Sequence, residues 1–519
     1  MSERKEQIPG FSAGGAVCRL VERFVEIVII IPITMLAGAD SALLAPVMVM
    51  YQIVFDAACA GVPFGIAMII SHYSRRKKYK NVMAVFHDTA IAGFVIGAIL
   101  ASVLMIAATP LSTWILGSGA ASSDISAMTA VLRCFALFAV SEGMLAGFRS
   151  VDQGMKRHND YMRGVLAEQG LRLIGAILLA WLCVKKLQKP SSYAIMMYAL
   201  AGVLASAIVL AYYIRRSNGL GMRTNPVDES RIQKQILHAS RPYLSQVILS
   251  SLWILFDLFV SGYVGVHYGI STADIKAAQG IIFVQGYVLC ALPMLLSCYD
   301  CFTRLPQIEE AFENGDGDRI EQHVNRAFAS FLIVAMPLGT FALLHSDAIV
   351  KALFPSIYSA YAASIFRWSG PFAILFGMGI LCMHLLSALQ LQKQLGAYQL
   401  TAFIIKDALL FPMVKKWGMK GILLSSILYF AILVFLSLAR IRTRALVEYR
   451  NTGIVLLKSL AGCLSLHGAM YLLSLAGIDA GSADTGILKQ FVLMLAAGAA
   501  AYYMTGDVLR LFPKRRKRQ

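Results

Sequence analysis

The chain has 519 residues, of which 58% are hydrophobic and only 15% charged, where a soluble domain carries about 25% charged residues. With a mean hydropathy of +0.66 there are too few polar side chains to cover a water-facing surface. A water-soluble enzyme and a disordered chain are both excluded. Lys+Arg number 47 against 29 Asp+Glu, a net charge of +18, and on this apolar background the excess points to a membrane surface rather than to nucleic acid.

Roughly 20 apolar residues cross a bilayer. Fourteen runs qualify, near 20–38, 44–70, 84–108, 127–148, 164–184, 192–214, 242–262, 277–302, 324–344, 365–389, 398–414, 419–439, 453–475 and 486–507. They are continuous rather than alternating, so they predict helices and not barrel strands. The expected fold class is an all-α polytopic membrane bundle. The run at 398–414 is the weakest, being short and holding Lys406 and Asp407.

The first run carries Arg19, Glu22, Arg23 and Glu26, which share one helical face. That stripe either lines the mouth of a wet cavity or is an interfacial turn whose charges pair and snorkel. Asp56 in the second run and Asp257 in the seventh are single acids in apolar surroundings. Each could take a proton or cation, or hydrogen-bond a neighbouring helix. Glu142 lies between Ser141 and Gly143, a pattern of close helix packing. Arg172 follows Glu168 by four residues, which predicts a local salt bridge. Arg133, Arg367, Lys458 and Lys489 lie near span ends and are read as snorkelling.

The charged connections give the sidedness. With the N-terminus in the cytoplasm, 31 Lys+Arg fall on inner segments, including Arg75 to Lys78 and the tail Lys514 to Arg518, and 8 on outer loops, Lys276 among them. That bias predicts both termini inside a multi-pass cell membrane protein. The polar lead and Glu22 and Glu26 are wrong for a cleavable signal peptide. Nine cysteines are scattered, and the single C-x-x-C of Cys298 and Cys301 is read as packing at a helix end; no metal or cofactor site is expected.

The halves resemble each other. Gly61-Val-Pro63, a polar segment and a long helix ending near Thr109-Pro110 are matched by Ala291-Leu-Pro293, an acidic segment and a helix holding Met336-Pro337. Internal repeats in a polytopic chain point to a transporter with its path between them. The expected organisation is a cytoplasmic N-terminal segment 1–19, an N-lobe 20–214, a linker 215–241, a C-lobe 242–439, a C-terminal helix pair 440–507 and a basic tail 508–519.

Three stretches carry a family resemblance. They are Ala60-Gly61-Val62-Pro63 with the basic loop Arg75 to Lys80; Phe148-Arg149 through Gln153-Gly154 followed by Glu168-Gln169 and Arg172; and Leu305-Pro306 through Glu309 with Gly315-Asp316. From about residue 20 to 440 the chain resembles the polysaccharide-transporter branch of the multidrug/oligosaccharidyl-lipid/polysaccharide (MOP) exporter superfamily. Within it, the chain is similar to stage V sporulation protein B-like members and MurJ-type lipid II flippases.

The resemblance implies two six-helix lobes around a cavity, two extra C-terminal helices that form a lipid-tail groove, and alternating access for a lipid-linked saccharide. It implies cavity arginines that attract pyrophosphate. Arg23 occupies the first such position, with Arg19 one turn away, whereas Ile29, Phe55-Asp56 and Tyr287 stand at others. Asp257 matches a family acid. Pro63, Pro293 and Pro337 would let helices bend as the lobes rock, and Arg149, Glu168 and Arg172 are structural or gating candidates. No P-loop is present, so the driving force would be the membrane potential or a proton or sodium gradient. Two rivals remain open: a cation-coupled multidrug and toxin extrusion exporter, which Asp56 would suit, and a membrane glycosyltransferase, which short outer loops disfavour.

Overall fold

The computed structural model describes residues 13–216, 229–478 and 486–512. The first twelve residues, the middle of the polar linker, residues 479–485 and the basic tail from 513 lie outside the described residues, as does the side chain of Arg19. Among the described residues there are helices and no strands, as continuous apolar runs in lipid require: a helix satisfies its backbone internally.

The first half of the chain forms α1 (Ala13–Ala37), a 3₁₀ connector Gly38–Leu44, α2 (Ala45–Asp56), a π turn Ala57–Gly61 and α3 (Val62–Arg75). It continues as α4 (Tyr79–Leu116), α5 (Ser122–Gly154), α6 (His158–Trp181), α7 (Ser192–Arg216), α8 (Glu229–His267) and α9 (Thr272–Gly280), which runs into a second π turn, Ile281–Gln285. Then follow α10 (Gly286–Leu289), α11 (Leu292–Thr303), α12 (Leu305–Glu313), α13 (Gly317–Leu344), α14 (Ser346–Leu353), α15 (Ala360–Phe366), α16 (Ser369–Ala388), α17 (Gln392–Trp417), α18 (Lys420–Ala445), α19 (Arg450–Leu475) and α20 (Ile487–Val508).

Thirteen stretches among the described residues are long and apolar enough to cross a membrane. One of them, Val21–Cys59, has 39 residues, about 58 Å as a straight helix, nearly twice the roughly 30 Å of hydrocarbon. The chain breaks this run at Gly38, whose φ of +57° only glycine adopts freely. The two sides of the break serve as separate spans. Asp40, just past the end of α1, takes an ion pair from Lys276 at the start of α9 (2.9 Å) and a hydrogen bond from Ser191 at the start of α7 (2.5 Å). Lys276 also reaches Asp124 at the start of α5 (3.0 Å). The far end of α3 lies instead with the start of α8, where Tyr73 donates to Gln235 (2.9 Å). The chain therefore goes out along α1 and returns along α2–α3, which restores the fourteen predicted spans.

By its contacts the chain divides into two compact units, Met1–Val284 and Gln285–Gln519. In the first, α4 lies flat on α5. Gly93 meets Gly143 and Gly97 meets Ala139 so closely that an added Cβ would strike the opposing carbonyl. Small residues bring two backbones together without any hydrophobic drive from lipid. The rest of α4 turns Ile96, Ile99, Val103 and Ile106 outward, the face a bilayer covers. Helix α8 packs on α2, α3 and α4.

In the second unit α13 is the hub, packing on α11, α12, α16 and α19. Phe372, Phe376 and Phe430 interlock α16 with α18 at ring separations of 5.1 to 5.7 Å. Lys406, fully buried in the weak eleventh span, is paired with Asp407 at 3.0 Å, which removes the difficulty of a lone charge in lipid. Cys301 gives its thiol to the Ala327 carbonyl (3.3 Å), a packing role. The prolines recur as the sequence implied. Pro63 and Pro293 each open a helix soon after a π turn, and Pro110 and Pro337 sit inside the long helices α4 and α13.

Candidate functional site

The described part of the α1 stripe, Glu22, Arg23 and Glu26, lies against protein. α1 packs on α6 and α7, and Glu22 and Glu26 are 1% and 3% exposed while Arg23 is half-buried. A carboxylate in that position needs a fixed partner, and α6 supplies one. Arg172 Nη2 donates to Glu26 Oε1 at 2.5 Å and also to the Tyr198 hydroxyl of α7, which itself donates to Glu26 Oε2 at 3.0 Å. The guanidinium lies over the Tyr51 ring, 3.6 Å from its centroid, and Gln169 of α6 donates to the Tyr51 hydroxyl at 2.9 Å. The arginine is thus held by an acid, the Tyr198 hydroxyl and the Tyr51 π face, a setting that suits a planar delocalised cation.

One turn along α6 from Arg172, Glu168 is held by a second arginine, Arg149 of α5. Arg149 Nη1 donates to Glu142 at 2.6 Å within α5, and its Nη2 to Glu168 at 2.5 Å across to α6. Its guanidinium also stands 5.5 Å from the centre of the Phe55 ring. The expected local salt bridge between Glu168 and Arg172 is therefore replaced: Glu168 pairs with Arg149, and Arg172 with Glu26 of α1. Burial explains the exchange, because an interior arginine gains more from a full set of interhelical partners than from one neighbour on its own helix. The small residues beside Glu142 do form a seam. Ser141 and Ser206 hydroxyls meet at 2.6 Å, joining α5 to α7.

Of the sequence-level candidates, the structure brings Glu22, Glu26, Arg149, Glu168 and Arg172 into one buried network. Arg23 and Asp56, half-buried at its edge, lie within electrostatic reach of Glu22. Asp257 is buried on α8. Pro63 and Pro293 mark helix starts and Pro337 lies inside α13. Tyr51, Tyr198 and Gln169 were not singled out from the sequence. Gln169 had a signal, the Glu-Gln pair of the motif; the tyrosines lie in apolar runs where nothing distinguishes them from core.

The second unit holds an apolar pocket of about 160 Å³ between α13, α19 and α20, lined among others by Pro337, Phe341, Leu466, Met470 and Tyr502. This is where the resemblance placed a groove for a lipid tail. The Tyr502 hydroxyl ties α20 to the Ile333 carbonyl of α13 at 2.8 Å, which fixes one wall.

This helical bundle shares its fold with solved transporters of the MOP superfamily. It superposes on a solved inward-facing multidrug MATE transporter of that superfamily with a TM-score of 0.63, over 84% of this chain and 96% of that one at 14% identity. It also superposes on a MOP transporter from Pyrococcus furiosus with a TM-score of 0.58, over 86% and 98% at 12% identity. On a solved lipid II flippase MurJ in its inward closed conformation, the TM-score is 0.70 over 96% of this chain and 98% of that one, at 13% identity. In sequence the chain is 22% identical over 432 residues to the lipid II flippase MurJ of Bacillus subtilis (strain 168), spanning 80% of this chain and 79% of the relative. No protein-family profile matches it.

Proposed function

We propose that this chain is a flippase that carries a lipid-linked saccharide across the cell membrane by alternating access, without changing it covalently. The observation that carries this reading is the extent of the match. The MATE fold accounts for 84% of the chain and the MurJ fold for 96%, and the difference is about the size of the α19–α20 pair. A soluble drug needs no such addition. A substrate with a long apolar tail does, and the pocket these helices form with α13 is lined by hydrocarbon side chains.

The head of such a substrate is a sugar on an anionic pyrophosphate, which cannot enter hydrocarbon unaided. Arg149 and Arg172 are committed to carboxylates, so attraction for the head falls to Arg23, with Arg19, on α1, strengthened by the low local dielectric. Glu26 holds α1 against α6 and α7, and Glu22, Asp56 and Asp257 are the acids left to respond to a coupling ion. The driving force is a gradient or the membrane potential, about 2.3 kcal/mol per charge per 100 mV.

Reconstituted vesicles with a fluorescent polyprenyl-pyrophosphate saccharide test this directly. Arg23→Glu is expected to slow transfer by tenfold or more, the loss of one charge-assisted contact of about 1.5–3 kcal/mol, while the lipid recovered is chemically unchanged. Wild-type transfer in that variant would remove the head site. A buried acidic network would also suit a cation-coupled drug exporter. That reading gains if the vesicles move an organic cation and leave the labelled lipid in place.

A further inference from the structure

The network of the first unit does not balance in charge. Glu22, Glu26, Glu142 and Glu168 are all at most 3% exposed, and only Arg149 and Arg172 are buried with them. At the edge, the half-buried Arg23 and Asp56 together add no net charge. Fully ionised, the interior would hold two uncompensated negative charges where even one is prohibitive.

The geometry shows where the excess sits. Arg172 and Glu26 form one pair. Arg149 serves two carboxyls at once, Glu142 at 2.6 Å and Glu168 at 2.5 Å, and a single guanidinium neutralises one of them. The other oxygen of each, Oε1 of Glu142 and of Glu168, is sealed from solvent without a hydrogen-bond partner, and so is Glu22 Oε1. The surrounding helices bring no further buried cation among the described residues. α2 presents Tyr51 and Phe55, the π turn after it Cys59, and α7 Tyr198. α4 presents Ala90 and Gly93, its His87 and Asp88 lying nearer its start, and α3 has His72 and Arg75 only at its end. Asp152, further along α5, is engaged by the Tyr213 hydroxyl at 3.2 Å.

We propose that the first unit folds around two bound protons, one shared by Glu142 and Glu168 on Arg149 and one on Glu22. Two carboxyls on one guanidinium form a pair that titrates as a unit. A proton on either turns a stranded acceptor into a hydroxyl. A sodium ion would need several converging oxygens, and the guanidinium already stands between these. The proton site stands on charge balance alone. That its filling and emptying accompany transport rests on the flippase reading and makes the proton the ion this unit exchanges.

Infrared spectroscopy of the full-length protein in lipid discs tests the site without any transport assay. Wild type at neutral pH is expected to show a protonated-carboxyl C=O band that shifts in D₂O. Glu168→Gln, Glu142→Gln and Glu22→Gln should each remove about half of it, as loss of one proton of two requires. Glu168→Gln should also melt with wild type, because a neutral amide replaces a half-protonated acid, whereas Arg149→Gln should melt lower. No such band in wild type, a band untouched by the Glu142, Glu168 and Glu22 variants, or a wild-type melting point that rises when sodium replaces choline would overturn the proposal. A loss of vesicle transfer with the band intact would count against the flippase reading alone.

Discussion

Arg172 illustrates how a single buried charge organises a membrane interior. Its guanidinium gathers Glu26 from α1, Tyr51 from α2 and Tyr198 from α7 onto α6, so four helices are fixed by one side chain. Removing one partner of a buried pair strands the other, at about 3–5 kcal/mol. Arg172→Gln is therefore expected to lower the unfolding temperature sharply in a detergent melt. Glu26→Gln combined with Arg172→Gln should recover part of that loss, since the stranded carboxylate is gone; a double variant as unstable as the sum of the singles would mean the two do not couple. The sequence displayed both residues and their helical faces. It could not display the pairing, because Glu26 lies 146 residues from Arg172 while helical spacing speaks only of neighbours on one helix. Glu168 was the visible local choice, and tertiary packing gave it to Arg149.

At the scale of elements, apolar length and the glycine and proline punctuation made all fourteen spans readable. The break at Gly38 was visible as a dip between two apolar runs, even though the two helices it separates form one continuous apolar stretch. What the sequence left obscure was which small residues sit at crossings. Gly93 and Gly143 meet backbone to backbone, whereas Gly170 of α6 faces open space. Gly93→Val should separate α4 from α5 and reduce the yield of folded protein in membranes. Gly170→Ala should be neutral or gain up to about 1 kcal/mol from helix propensity. Equal outcomes in a paired melting experiment would refute the close crossing. The π turns before Pro63 and Pro293 had no sequence signal beyond the prolines themselves, since a π turn is a local hydrogen-bond shift that many sequences accommodate.

For the whole molecule, the helix pair α19–α20 is the feature on which the proposed transport of a lipid rather than a solute rests. Gly498 of α20 lies at the pocket, where a Cβ would come 3.2 Å from Leu466 and Met470. Gly498→Leu should fill the space while leaving the helices inserted. The expected result is a normal melting curve with transfer of a long-tailed lipid slowed more than that of a short-tailed analogue. Equal slowing of both would place the tail elsewhere. The order of motifs along the chain made the general class legible, while the pocket itself could not be read, because its walls come from helices more than a hundred residues apart.

The knot of Lys276 with Asp40 and Asp124 has a use in establishing sidedness. Its members are 236 and 152 residues apart in the chain, yet they gather the starts of α5 and α9 and the end of α1 on one surface. Acylation at Lys276 by a membrane-impermeant reagent on intact cells, read by peptide mapping at that residue, would report the address of three connections in one measurement. The sequence places them outside, so labelling is expected on intact cells, and labelling only after the cells are opened would invert the topology of the entire first unit.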